Sequence, residues 1–400
     1  MDFDLQWLLW GLPLAFALGW ATSRWDVRQW RREQGGSPKV YYKGLNLLLN
    51  EQHDKAIDAF IEAVQQDPDT SDLHFALGNM FRRRGEYERA VRVHQHLLGR
   101  GDLPRSERDR AQHALAQDYM KAGLFDRAEE AYQALAGTSF DTESRLALLD
   151  LHERSRNWGA AIDVAHGLER SGTGSFASRI AHYWCELALE ADAQQHGEAA
   201  DQALAKARQA APNDARPLVL AGERALVRHD VTEAMRAWGS LMTAQPAAFN
   251  LVARRYASAA ASSGKTAPAL DSLQALYQQT PTMDLLAAIA SLQPDDTHLR
   301  ARLLAHLHAH PTLAAAGAVL EPTAVRGEAP TTAGAVASAV AAEPLEAAEA
   351  GAVRAAVRRA ARPLHRYRCA ACGFEAEHYF WQCPGCLGWD TYPPHRLEDQ

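Results

Sequence analysis

The sequence predicts an all-α protein with three parts: one N-terminal transmembrane helix, a solenoid of helical hairpins, and a small C-terminal knuckle that carries four cysteines. Three observations predict this organisation. The chain begins with an apolar stretch almost free of charge, a pattern of paired amphipathic helices then recurs, and four of the five cysteines lie close together near the end.

The composition is typical of a globular protein in a reducing compartment. Hydrophobic residues make up 47% of the chain, and a formal net charge of −7 gives no reason to expect nucleic acid as a partner. Cys185 is the only cysteine outside the C-terminal cluster, so no disulfide framework runs through the body.

Residues 1–23 are predicted to form a membrane anchor. No charged residue lies between Asp4 and Arg24, and a helix of this length spans roughly 30 Å, enough for the hydrocarbon core. Aspartates precede the apolar run and four arginines follow it, so the N-terminus is expected outside the cytoplasm and the body inside it. A buried core helix and a signal peptide are the alternatives.

Residues 39–313 carry the recurring hairpin pattern. Gly44 aligns with Gly78, and Ala56 with Ala90, at one fixed period. Small residues are needed at such positions because the two helices of a hairpin cross closely. Length and pattern resemble the tetratricopeptide repeat. Looser copies follow, for seven in all before a shorter capping segment, and a generic helical bundle is the alternative.

The likeness to tetratricopeptide repeats implies a concave surface lined by the first helix of each hairpin. By that geometry, five polar residues are candidates for binding a partner: Asn79, Arg82, Arg83, Gln117 and Lys121. As a group they favour an acidic or extended peptide, although each alone is better explained as a solvated side chain.

Two linkers are predicted from composition. Residues 24–38 form a basic juxtamembrane linker, and residues 314–362 are rich in alanine with scattered proline and glycine. The latter segment has few large apolar residues and cannot order itself by burial, except for a lead-in helix from about Glu346 to Arg362.

Residues 363–400, hereafter the knuckle, contain Cys369-x2-Cys372-x10-Cys383-x2-Cys386. Two such pairs on a short connector can bring four thiolates to one tetrahedral metal ion, whereas disulfides within each pair would be strained. Four protein ligands leave no open position, which predicts a structural site for zinc or iron. His378 and His395 are alternative ligands, but with four cysteines present they are expected to be surface residues.

No catalytic motif competes with this interpretation. The sequence has no Walker loop, no dinucleotide-binding glycine motif after a strand, no HExxH and no nucleophile elbow. Cys185 lies in a helical apolar pattern and is expected in the core, with the groove as the alternative. The sequence therefore predicts a protein that is not an enzyme.

The cysteine pattern is similar to the metal-binding knuckles of rubredoxin, although its connector is much shorter than in the electron carriers. One anchor, a tetratricopeptide array and a rubredoxin-like knuckle together resemble the lipopolysaccharide assembly protein B family of Gram-negative bacteria. The stretches that carry this resemblance are Tyr367-Arg368-Cys369, Cys372-Gly373-Phe374 and Trp381-Gln382-Cys383-Pro384.

The resemblance implies a single-pass inner-membrane adaptor with a periplasmic N-terminus and a cytoplasmic body. Members of the family work with the membrane-anchored AAA+ protease FtsH to promote degradation of UDP-3-O-acyl-N-acetylglucosamine deacetylase, the lipid A pathway deacetylase. They are also tied to an inner-membrane regulator that senses lipopolysaccharide. A scaffold for another envelope complex and a rubredoxin-like electron carrier are the alternatives, and the sequence leaves open whether the chain forms a homodimer.

Overall fold

The computed structural model describes residues 20, 43–44, 46–47, 49–50, 52–66, 70–293, 298–320 and 347–399. These residues belong to two compact units that divide between Thr173 and Gly174. No helix within the described ranges is long and apolar enough to cross a bilayer, and apart from Trp20 the predicted anchor lies outside those ranges.

The first unit consists of helical hairpins, as the repeat pattern predicts. Its helices are α1 (His53–Gln66), α2 (Ser71–Arg83), α3 (Tyr87–Gly99), α4 (Arg105–Ala122), α5 (Phe125–Gln133), α6 (Asp141–Arg154) and α7 (Trp158–Arg170). Apolar residues one helical turn apart face the neighbouring helix; Tyr119 of α4, Tyr132 of α5 and Leu148 of α6 share one buried cluster. Each hairpin therefore buries its apolar face against the next.

A buried polar network joins two hairpins of the first unit. Asp118 of α4 is fully buried and accepts hydrogen bonds from Arg82 Nη1 at 2.8 Å and from His94 Nδ1 at 2.5 Å. Arg82 also donates to the Ala114 carbonyl at 3.0 Å and to Asn79 Oδ1 at 2.6 Å. The charge of the buried carboxylate is thus compensated from both sides.

The second unit continues the hairpins. Its helices are α8 (Ala177–Ala193), α9 (Gly197–Ala210), α10 (Ala215–Val227), α11 (Val231–Ala244), α12 (Pro246–Phe249), α13 (Ala253–Ser262), α14 (Thr266–Gln279), α15 (Met283–Leu292), α16 (Leu299–Ala309), α17 (Leu313–Val319) and α18 (Ala347–Ala361). First helices contact first helices, α8 with α10 and α13 with α15. We call the exposed side of these four helices the first-helix surface of the second unit.

The close crossing expected at small residues is present in both units. A Cβ atom added to Gly78 would overlap the His94 ring, and one added to Gly222 would overlap the Trp238 indole. Trp238 is fully buried and donates its indole N–H to the Val219 carbonyl at 3.3 Å, which holds the ring against α10. Glycine at these positions lets a large ring of the second helix fill the crossing.

Helical structure extends into the predicted alanine-rich linker. Thr312 caps α17 by accepting a hydrogen bond from the Ala315 amide at 3.1 Å, and Gly317 faces Val357 of α18. Burial against α18 gives these small residues the apolar contact that their own composition lacks. The predicted lead-in helix is present as α18, and residues 321–346 lie outside the described ranges.

We predict that Gly222→Ala destabilises the second unit. Overpacking against Trp238 should cost about 1–3 kcal/mol, which exceeds the roughly 1 kcal/mol gained from the higher helix propensity of alanine. Gly239→Ala in α11 is the matched control, because its added Cβ meets nothing within 4 Å. Thermal unfolding should show a lower Tm for the first variant and an unchanged or higher Tm for the control; equal shifts would contradict the close crossing.

Candidate metal centre

The knuckle is built from two turns of the same design. Strand β1 (Tyr367–Arg368) pairs antiparallel with β2 (Glu375–Ala376), and the first cysteine pair lies in the connection between them. The second pair lies between Gln382 and Trp389, which form an antiparallel bridge. Short strand pairing therefore presents both cysteine pairs at turns.

Backbone hydrogen bonds repeat in the two turns. The Cys369 amide donates to the Phe374 carbonyl at 2.9 Å, and the Cys383 amide donates to Gly388 at 2.8 Å. The residue after the second cysteine of each pair has a left-handed backbone, with φ of +77° at Gly373 and +58° at Leu387. Glycine adopts this conformation without strain, whereas leucine does not. The sequence signalled the first turn through Gly373 but gave no signal for Leu387.

The four cysteine Sγ atoms lie within 4.8 Å of one another. Cys369 Sγ lies 3.8 Å from Cys386 Sγ, and Cys372 Sγ lies 3.6 Å from Cys383 Sγ. A tetrahedral ion with metal–sulfur distances of roughly 2.3 Å requires sulfurs roughly 3.8 Å apart, whereas a disulfide requires about 2.05 Å. The cluster can therefore hold one structural metal ion, with two sulfurs buried and two exposed.

Electrostatics also favours a cation at this point. Burial opposes ionisation of Cys369, but hydrogen bonds from Thr391 and from the Cys372 and Ala371 amides lower its pKa to about 6. The Phe374 amide lowers the pKa of Cys372, but burial and the three neighbouring sulfurs outweigh it and raise that pKa to about 12. The thiols cannot all ionise side by side, and a divalent ion would remove this repulsion.

Three tyrosines form the small core of the knuckle around Cys369 and Cys383. They are Tyr367, Tyr379 and Tyr392. The Tyr392 hydroxyl donates to the Phe374 carbonyl at 3.2 Å, and the Tyr379 hydroxyl donates to the Tyr392 carbonyl at 3.2 Å. Of the two alternative ligands, His378 is exposed and His395 is half-buried, and neither belongs to the metal-binding cluster.

The knuckle packs on the first-helix surface of the second unit through Trp389. The His182 ring of α8 stacks on the Trp389 indole, with ring centres 4.7 Å apart and planes inclined by 17°. Tyr183 meets the same indole edge-on, and the Arg216 guanidinium of α10 lies 5.5 Å from its centre. Stacking and cation–π attraction thus act on one aromatic side chain.

The next residue, Asp390, adds a polar anchor. Its Oδ2 accepts from His182 Nε2 at 2.7 Å and from the Ser178 hydroxyl at 3.3 Å. Asp390 also has a left-handed backbone, with φ of +53°. Because Trp389 and Asp390 follow Cys386 by three and four residues, the metal turn fixes the position of the docking residues.

Further contacts extend the docking. Trp381 packs against the main apolar core of the second unit, and Leu251 packs against the tyrosine core of the knuckle. After the last turn, Arg396 donates to Asp284 of α15 at 3.3 Å. The knuckle therefore contacts residues along the first-helix surface and packs against these helices.

The polar residues that the sequence suggests for a partner groove lie on α2 and α4. Arg83 and Lys121 are exposed and Gln117 is half-buried. Asn79 and Arg82 take part in the network around Asp118, so part of their bonding capacity is already used. The groove itself stays a prediction, and Arg83 and Lys121 are its most accessible members.

Cys185 lies in the core and not in a groove. The thiol is fully buried in α8, and burial raises its pKa to about 12. Sequence analysis missed His182 and Arg216 as functional residues. The available signal was a histidine and an arginine on otherwise apolar helix faces, where a buried polar side chain needs a partner.

Comparison with known proteins agrees with this geometry. Residues 367–393 match the rubredoxin metal-binding domain, and residues 41–102 and 113–175 match the tetratricopeptide repeat. A tetratricopeptide repeat protein from Parabacteroides merdae covers 64% of this chain and 97% of its own at 12% identity, with a TM-score of 0.32, a likeness too weak to inform function. The chain is thus a tetratricopeptide-repeat protein with a rubredoxin-like metal-binding domain.

Full-length relatives identify the family. Lipopolysaccharide assembly protein B of Escherichia coli K12 is 30% identical over 398 residues, which is 98% of both chains. The protein of that name from Haemophilus influenzae is 24% identical over 413 residues, again 98% of both chains. The chain belongs to the lipopolysaccharide assembly protein B family.

We predict that Cys383→Ser abolishes metal binding. Cys383 is fully buried, and a neutral hydroxyl is a poor ligand for an ion held by thiolates. Elemental analysis should find one zinc or iron ion per wild-type chain and less than about a tenth of that in the variant. Cys185→Ala is the control and should keep the full metal content. A wild-type chain without metal, or a variant that retains it, would contradict the site.

Proposed function

We propose that this protein is an inner-membrane adaptor in lipopolysaccharide assembly. In this proposal it promotes degradation of the lipid A pathway deacetylase by FtsH and coordinates assembly proteins with an inner-membrane regulator that senses lipopolysaccharide. Family membership supports a role in lipopolysaccharide assembly. The observation that carries the adaptor role is the docked knuckle, which joins the four-cysteine cluster to residues of the first helices α8, α10 and α15.

The two groups that most resemble enzyme machinery support a role in binding rather than turnover. Cys185 is buried with a raised pKa, so it is a poor nucleophile. His94 and Asp118 are paired like two members of a catalytic triad, but both are fully buried and the His94 ring lies against Gly78. Both features contribute to packing between hairpins.

A membrane anchor would serve such an adaptor directly. Residues 1–23, as predicted, would hold the cytoplasmic body at the membrane that also carries the protease. Confinement raises the effective concentration of one protein near the other and makes a weak contact sufficient.

We propose that the two units bind different partners. The knuckle already covers part of the first-helix surface of the second unit. In the first unit, Arg83 and Lys121 are exposed at the C-terminal ends of α2 and α4. This unit is therefore our candidate for binding an acidic or extended segment of a partner, and the knuckle is the candidate for a second partner.

We predict that Arg83→Glu with Lys121→Glu weakens capture of a partner by about tenfold, because two attractive charges become repulsive. A tagged chain would be purified from detergent-solubilised membranes, and its partners would be quantified by mass spectrometry. Arg170→Glu with Arg208→Glu, a matched reversal on the second helices α7 and α9, is the control.

A second variant, Cys383→Ser with Cys386→Ser, tests in the same experiment whether the knuckle binds a partner. Recovery of FtsH and the deacetylase with wild type, and loss of one of them with the cysteine variant, would support the adaptor and assign a partner to the knuckle. Recovery of an unrelated envelope complex would favour the scaffold alternative. Unchanged capture by the charge-reversed first unit would exclude that unit as the binding surface.

A further inference from the structure

A second concave site lies in the second unit, away from the cysteines. It is a cavity of about 520 Å³ between α15, α17, α18 and residues near the two ends of the knuckle. Its wall combines one cationic and one apolar region. The cationic side chains are Arg254, Arg358, Arg362, Arg396 and His365, and the apolar ones include Met283, Ala287, Leu313 and Ala318.

The positive charge of this wall is only partly compensated. Four guanidinium groups face the carboxylates of Asp284 and Glu398. Asp284 lies 3.7 Å from Arg254 and 3.3 Å from Arg396, so it is shared between two arginines. A formal excess of two positive charges remains at the wall, and it is still positive when the neighbouring Asp399 is counted.

Glu398 is held by other groups. Its side chain is almost completely buried and accepts a hydrogen bond from the Ala314 amide in the first turn of α17 at 3.1 Å. A carboxylate at this end of a helix is stabilised by the exposed amides and the helix dipole. Arg362, in contrast, is exposed and has no ion-pair partner within the described ranges. The guanidinium group most accessible to a ligand is therefore that of Arg362, which directly follows α18.

The apolar region of the cavity favours a ligand that also carries an apolar group. Met283 and Ala287 of α15 face Leu313, Gly317 and Ala318 of α17, and small side chains leave the cavity open. A free inorganic ion would contact only the arginines and would leave the apolar lining exposed to water. A ligand with an anionic head and a short apolar group would satisfy both regions.

We propose that this cavity binds an amphiphilic anion, with a phosphate-type head group on Arg362 and the adjacent arginines and an apolar chain against α15 and α17. Guanidinium groups suit phosphate because they donate paired, charge-assisted hydrogen bonds. Because Arg396 and Glu398 lie at the C-terminal end of the knuckle and contact α15 and α17, the ligand would bind where the knuckle, α15 and α17 meet.

Isothermal titration calorimetry on the full chain in nanodiscs tests this proposal with three probes. Hexyl phosphate carries both features, inorganic phosphate carries the head alone, and hexanol carries the tail alone. We expect hexyl phosphate to saturate one site per chain, with affinity at least about tenfold above that of inorganic phosphate and of hexanol. Equal affinity for hexyl phosphate and inorganic phosphate would reduce the cavity to a simple anion site and overturn the proposal.

Variants locate the site. Arg362→Ala should weaken hexyl phosphate binding by about tenfold, which corresponds to one lost charge-assisted hydrogen bond. Ala287→Phe, which fills the apolar region from a half-buried position, should weaken hexyl phosphate more than inorganic phosphate. Arg208→Ala, at an exposed arginine of α9, is the control and should bind like wild type. Wild-type affinity in both cavity variants would place any binding elsewhere and overturn the assignment.

Discussion

The contact of Trp389 and Asp390 with His182 and Arg216 is the interaction on which the arrangement of the second unit depends. Stacking, cation–π attraction and a charge-assisted hydrogen bond meet within two residues of the knuckle. Each contributes on the order of 1 kcal/mol. Their sum is enough to hold a small domain in place, yet small enough that losing the metal turn beside it would release the domain.

This contact also determines which surfaces are available to partners. Tetratricopeptide arrays bind through their first helices, and here the knuckle occupies part of that surface in the second unit. The first unit carries exposed arginine and lysine on the corresponding helices. In the proposed function both surfaces serve as binding sites for partners, and the shape of the knuckle depends on the four cysteines that can hold a metal ion.

Local features of the fold could be predicted from sequence, and contacts between distant segments could not. The cysteine spacing predicted the four-sulfur cluster, and the repeat position of Gly78 predicted a close helix crossing, because each rests on neighbouring residues or on a repeat period. The docking of Trp389 joins residues about two hundred positions apart, and nothing in a repeat period specifies it. The pairing of Arg82 with Asp118 could not be predicted from sequence for the same reason. Helix α17 was assigned to a linker because alanine-rich composition does not reveal the surface that α18 provides.

If the metal turn and the array hold the knuckle jointly, then metal binding and docking must stabilise each other equally, by reciprocity of coupled equilibria. The most direct test is the zinc affinity of Trp389→Ala, measured by competition with a chromophoric chelator. Trp389 is not a ligand, so a purely local site would be indifferent to its removal. We predict affinity weaker by about tenfold, within the usual range for coupled sites. Wild-type affinity in Trp389→Ala would show that the knuckle folds around its metal without the array, and would contradict joint support.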